Sequence, residues 1–136
     1  MYQKVIIIGR LGQDPEMRYT ASGQPVTNFS VATSYSWTDQ EGQQQERTTW
    51  FRVTAWRKLA ETCNQYLVKG QRVLVEGRMN TDPATGGPRI WTGNDGVARA
   101  SYELTANTVK FLAKPRGAAA DYEESPVIEE PEEIPF

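Results

Sequence analysis

The stretch RTTWFRVTAW, Arg47 to Trp56, runs directly into RKLAETCNQYLV, Arg57 to Val68, and its period changes at the junction. In the first part, alternate residues fall into two sets. Phe51, Val53 and Ala55 form one, and Trp50, Arg52, Thr54 and Trp56 form the other. Period two is the mark of a strand. In the second part Leu59, Ala60, Cys63, Tyr66 and Leu67 fall on one helical face, so a helix is expected from Lys58 to about Val68. Gly70 stands where a helix C-terminus favours a residue free to adopt positive φ.

Outward from this point the chain reads as strands. Lys4–Leu11 is rich in β-branched residues and ends at Gly12 and Gln13-Asp14-Pro15. Ala21-Ser22-Gly23-Gln24-Pro25 is a turn cluster, and Val26–Trp37 is a second strand. Asp39–Glu46 is a polar loop before the Arg47–Trp56 strand. A fourth strand, Gln71–Asn80, carries Gly77 as an expected bulge or bend. Thr81–Val97 is expected to be a long loop, and Ala100–Leu112 a fifth strand. Five strands with one helix between the third and fourth is the element order of an OB-fold, an all-β barrel that binds oligonucleotides or oligosaccharides on one strand face. Val5, Ile6, Ile7 and Ile8 are apolar on both faces. Either that strand is buried within one subunit or one face packs on another.

Charge divides the chain into a body, 1–114, and a tail, 115–136. The body carries fourteen basic and ten acidic residues, a net of +4; the tail carries Arg116 against seven acids, a net of −6. A mildly basic body suits an anionic ligand. The tail, rich in Gly, Ala, Pro and Glu, is expected to be disordered. It is either solubilising or a docking segment. Phe136 favours docking: an aromatic anchor with a terminal carboxylate and nearby acids suits a basic-rimmed apolar pocket. With Cys63 as the single cysteine, no intrachain disulfide can form. No stretch is long and apolar enough to span a bilayer, and no signal segment opens the chain, so a soluble, unexported protein is expected.

If Phe51, Val53 and Ala55 pack inward, Trp50 and Trp56 face outward on either side of Arg52. Rings can stack on bases, and a guanidinium can pair with phosphate. The alternative puts the tryptophans in the core or in a subunit interface. Trp37 ends the second strand, and Trp91 lies in the long loop near Arg89, either as further platforms or, for Trp91, as a cap over an apolar rim. Arg18, Arg47, Arg57, Lys58, Lys69, Arg72, Arg78 and Arg99 are interleaved among them; only together do they suggest a groove that follows a nucleic-acid backbone. Histidine is absent, and no metal-ligand cluster, phosphate-cradling glycine loop or nucleophile elbow is present. An enzyme is therefore not expected, nor any cofactor or metal.

The sequence resembles the bacterial-type single-stranded DNA-binding proteins. The matching stretches are Val5–Glu16 (VIIIGRLGQDPE), Arg18-Tyr19, Ser36-Trp37 and Thr49–Val53 (TWFRV). Lys58–Glu61, Tyr66–Gly70, Val75–Arg78 and the tip Glu133-Ile134-Pro135-Phe136 follow in family order. The resemblance implies a homotetramer, or in some branches a dimer, that wraps single-stranded DNA. It implies stacking by Trp37, Trp50, Trp56 and Trp91, and phosphate contacts from Lys4, Arg18, Arg52, Lys58 and Lys69, to which the position of Arg89 adds a sixth. It implies docking of replication, recombination and repair proteins on the tip, Glu132, Glu133, Ile134, Pro135 and Phe136, and a cytoplasmic, nucleoid-associated protein. Three features depart from the family pattern: Trp56 replaces the usual phenylalanine, Thr81–Ile90 is longer, and the tip carries glutamates where aspartates are usual. A primosomal module of the same fold would lack the acidic tip, and cold-shock RNA chaperones are shorter.

Overall fold

The computed structural model describes residues 1–113. The tail boundary at 114/115, the expected disorder beyond it and the docking tip lie outside the described residues. The strands are β1 (Val5–Leu11), β2 (Glu16–Tyr19), β3 (Pro25–Thr38), β4 (Gln44–Trp56), β5 (Arg72–Met79), β6 (Ile90–Thr92), β7 (Ala98–Ala100) and β8 (Tyr102–Phe111); the helix α1 (Arg57–Tyr66) joins β4 to β5. Neighbours in the main sheet follow the order β1-β5-β8-β4-β3-β2, and β1 also pairs with β3. That last pairing closes β1, β5, β8, β4 and β3 into the expected five-stranded barrel.

Two glycines allow the closure. A Cβ on Gly9 would lie 2.2 Å from the Ala32 carbonyl oxygen, at the place where Arg10↔Ala32 and Leu11↔Val31 join β1 to β3. Gly77 sits at a register shift between β5 and β8, the bulge its sequence position suggested.

The core follows the alternation of the strands. Val53 and Ala55 of β4, Val73 and Val75 of β5, Phe29 and Val31 of β3, and Leu104 of β8 are all buried. Helix α1 seals one end with Ala60 and Cys63, followed by Leu67. Thr27 lies under the helix, and its buried hydroxyl donates to the Ala60 carbonyl at 2.7 Å, so no polar group there goes unsatisfied. Arg57 is the one non-glycine residue at positive φ (57°) among the described residues. It reverses the chain from strand to helix in a single step, which costs about 1–2 kcal/mol.

Four differences from the sequence reading have physical causes. The helix ends at Tyr66, and Leu67 is already extended. Gly70 (φ 87°) therefore serves the turn after the helix and donates its N–H to the Leu11 carbonyl, rather than capping the helix. The polar loop Asp39–Glu46 is shorter than expected because Asp39 organises it. Its Oδ1 accepts the N–H groups of Glu41 (2.9 Å) and Gln43 (2.8 Å), and pairing resumes at Gln44. The Gln43 N–H, against some desolvation and with help from Gln45 and Glu41, holds the Asp39 carboxyl below the usual range. β2 was not expected; it forms because Glu16–Tyr19 finds a partner edge on β3. Part of the long loop is also ordered as the β6–β7 hairpin, which turns at Gly93–Val97.

Ile7 is buried, whereas Ile6 and Ile8 are 56% and 54% exposed. Burial of both faces of β1 within one subunit is therefore excluded. Among the described residues, no helix is long and apolar enough to cross a membrane, and no cluster of side chains could hold a metal ion.

Candidate nucleic-acid interface

The expected division of β4 is observed. Val53 and Ala55 point inward, while Trp50 and Trp56 are 52% and 41% exposed. Register aligns their neighbours in rows across the barrel surface. Trp56 lies beside Val26, and Val26 beside Arg18; Arg52 lies beside Ser30, and Trp50 beside Ala32. The partners on β3 are short, so the two rings and the guanidinium stand clear of the sheet. Between the rings, Thr54 donates to the Asn28 side chain at 2.9 Å. Beside Arg52 the surface sinks into a hollow of about 180 Å³ walled by Gln13, Asp14 and Ser30 among others. Arg18, Arg52, Trp50 and Trp56 thus share one surface, and Lys58 is exposed just beyond Trp56.

The loop after β1 positions Trp50. A Cβ on Gly12 would lie 2.6 and 2.8 Å from two carbons of the Trp50 ring, so the indole rests directly on the glycine backbone. The same loop is tied to Lys69, whose backbone N–H donates to Asp14 Oδ1 at 2.8 Å. That bond brings the exposed Lys69 beside the Trp50 end of the surface. Sequence reading did not assign Gly12 this role. The only signal was its place beside a strand end, which also fits an ordinary turn.

The remaining sites fall elsewhere. Lys4 lies on the outer surface of β1 and β5, where it pairs with Glu76 at 3.3 Å. It is not in the row with Arg52. Trp37 belongs to the opposite side of the β3–β4 ribbon from Trp50, in contact with Tyr35 and Arg47. Trp91 lies on β6 rather than in an irregular loop, with Arg89 over its ring at 4.8 Å. The same guanidinium bonds Glu103 at 2.6 Å, and Ser101 donates to that carboxylate at 2.9 Å. Burial opposes ionisation of Glu103. The bonds from Arg89 and Ser101 and the charges of Arg89 and Arg52 outweigh it and hold the carboxyl below the usual range. Arg89 is therefore already engaged, bracing Trp91 against β8.

The sequence profile of the Single-strand binding protein family matches residues 2–112. The chain belongs to that family. A single-stranded DNA-binding protein of Neisseria meningitidis serogroup A is 48% identical over 123 residues, which cover 89% of this chain and 67% of the relative. The single-stranded DNA-binding protein 1 of Chlorobaculum tepidum is 40% identical over 141 residues, covering 90% and 87% of the two chains. Among solved structures, a Plasmodium falciparum SSB in complex with ssDNA superposes with a TM-score of 0.67 at 26% identity, over 82% of this chain and 96% of that one. A small single-stranded DNA-binding protein from Streptomyces coelicolor gives 0.66 at 25% identity, over 81% and 94%.

For this single-strand binding protein, Gly12→Ala is expected to displace the Trp50 ring without unfolding the barrel. Its affinity for an oligothymidine should fall by roughly five-fold or more, since one base stack is worth about 1–3 kcal/mol. Combined with Trp50→Ala, the glycine change should add little further loss. Additive losses in that double-mutant cycle would show that Gly12 does not act through Trp50.

Proposed function

We propose that the protein coats single-stranded DNA without strong sequence preference during replication, recombination and repair, and recruits partner proteins through Glu132–Phe136. Family membership supports single-strand binding itself. The observation that carries the coating mechanism is the outward pair Trp50 and Trp56 flanking Arg52 on one face of β4. The rings take unpaired bases, and every base has a π-face, so stacking is tolerant of sequence. Arg18, Arg52, Lys58 and Lys69 supply charge for the backbone. A duplex offers no free base faces and is rejected. The function is binding rather than catalysis, in a cytoplasmic, nucleoid-associated setting.

A homo-oligomer, and specifically a tetramer, belongs to the same reading. Two features support it. Ile6 and Ile8 are left half-exposed on a surface shared with the partly exposed Leu74, and Val5 to Gly9 pair with β5 alone, leaving their other edge without a strand. Exposed apolar surface and an open edge are both features that association covers.

The test is a tryptophan-fluorescence titration with single-stranded oligothymidine and, in parallel, with a duplex of equal length. Strong quenching by the single strand alone is expected. Affinity should fall with salt, with a log–log slope near −0.7 for each phosphate neutralised. Equal affinity for the duplex would refute the stacking mechanism.

A further inference from the structure

We infer that Glu103 is a positioning residue that stands in for a phosphate. In the free protein it holds the Arg89 guanidinium, and with it the hairpin that carries Trp91, against β8; when a strand binds, it gives Arg89 up to the DNA backbone. The inference rests on the single-strand binding reading and deepens it with a residue to which that reading gives no role.

Register places the carboxylate. Glu103 of β8 pairs with Arg52 of β4, and Arg52 with Ser30 of β3, so Glu103 continues the row that crosses the binding surface. It lies beside Arg52 and bonds Arg89 at 2.6 Å. A carboxylate within a surface that takes a polyanion has the wrong sign for the ligand, and it weakens the pull of both guanidiniums on a phosphate. A charge of that sign has a use there if it holds something before the ligand arrives.

What it holds is the hairpin. β6 and β7 pair only with each other. Their root is fixed: the Asn80 N–H donates to the Glu103 carbonyl at 2.8 Å, and the Thr105 hydroxyl donates to the Asn80 side chain at 2.6 Å. Beyond that root, among the described residues, the Arg89–Glu103 bond is the one hydrogen bond that ties 81–100 to the barrel. Arg99 pairs with Asp95 inside the hairpin and adds no tie. With the Arg89 guanidinium 4.8 Å from the Trp91 ring, the bond at Glu103 sets where that ring stands.

The contact suits exchange. Arg89 is 49% exposed and Glu103 16%, so a phosphate reaches the guanidinium without first uncovering the carboxylate. Carboxylate and phosphate offer an arginine the same kind of charge-assisted acceptor. The carboxylate left behind keeps the Ser101 hydroxyl, which donates to the same oxygen at 2.9 Å, and the neighbouring charge of Arg52. It is therefore not stranded, the outcome that makes breaking a sheltered ion pair costly. Arg89 keeps its flat face on Trp91 while its N–H edge changes partner, so the ring travels with the phosphate.

The test uses the full chain with Glu103→Gln, Arg89→Gln and the double variant, titrated with an oligothymidine at several salt concentrations. Glutamine keeps the size of Glu103 but removes the charge that competes for Arg89. Glu103→Gln is expected to bind about two- to five-fold more tightly at low salt, the range for a partly exposed ion pair, with the gain shrinking as salt rises. Arg89→Gln should reduce the salt slope by about 0.7, the loss of one phosphate contact. Changed at an exposed side chain, it keeps the test open if Glu103→Gln disturbs the barrel. In the double variant the gain from Glu103→Gln should largely vanish, because it acts through Arg89. A gain of equal size in both backgrounds would be the effect of one lost negative charge and overturns the inference. Weaker or unchanged binding in Glu103→Gln also overturns it, making the bond a fixed brace, as does an unchanged slope in Arg89→Gln. If Trp50→Ala still weakens binding in those cases, the single-strand reading survives alone.

Discussion

Replacing Trp50 and Trp56 together with alanine is expected to cost about 2–6 kcal/mol of single-strand affinity, or roughly 30-fold to more than 10⁴-fold, at two stacks of about 1–3 kcal/mol each. The rings are 52% and 41% exposed, and the inward side of the same strand is filled by Val53 and Ala55. Their removal therefore leaves the core as it is. Trp56 lies beside the fully buried Val26, and truncation partly uncovers that valine. Part of one valine's burial is worth about 1 kcal/mol, so only a small loss of stability should accompany the large loss of binding. Fluorescence anisotropy of a labelled oligothymidine at constant salt measures the first, and urea denaturation the second. The salt slope should be unchanged, because indoles neutralise no phosphate. A variant that binds like the parent would place the two rings outside the binding surface. A variant that fails to fold would make them structural.

Gly77→Ala is expected to be the most damaging small substitution in the barrel. Its added methyl would lie 2.0 Å from the Thr105 carbonyl oxygen, 2.9 Å from its carbonyl carbon and 3.0 Å from Ala106 Cα. All three are backbone atoms of β8, so no side chain can turn aside. Either β5 and β8 part at the bulge or the bulge is lost, and with it the register of Val73 and Val75 in the core. We expect a loss of about 3 kcal/mol or more, the upper range for overpacking. Thermal or urea denaturation reads it directly. The chain at Gly23 offers the contrast: it is open to solvent with nothing within 4 Å, and a substitution there meets only the strain of its φ of 88°. If Gly77→Ala melted like the parent, the close approach of the two strands would not be needed for the fold.

Much of the fold was legible from local pattern. Period two over Phe51, Val53 and Ala55, followed by a helical face over Ala60 and Cys63, identified the strand–helix junction. The same alternation put Trp50, Arg52 and Trp56 in one set, which the structure turns outward. Alternation is a property of neighbouring residues, and the pleat converts it into faces without reference to the rest of the chain. The bulge at Gly77 was legible for a similar reason, since glycine inside a strand marks a place where backbone comes close. The short elements were not legible. Glu16–Tyr19 and the two strands of the β6–β7 hairpin are only three or four residues long, too short to show a period, and their strand character comes from the edge or partner each one finds.

The sequence by itself therefore determined the order of the five barrel strands and the helix, the two sets into which the residues of each strand divide, and the aromatic and basic character of one set on β4. Only the tertiary structure decided how those groups are held. It set the Trp50 ring on Gly12, tied Asp14 to the Lys69 backbone, engaged Arg89 between Trp91 and Glu103, moved Lys4 to the β1–β5 surface, and put Trp37 with Tyr35 and Arg47 on the far side of the ribbon. The reason is separation along the chain. Faces follow from residues two apart, whereas all of these contacts but Tyr35–Trp37 and Arg89–Trp91 join residues from 10 to 72 positions apart.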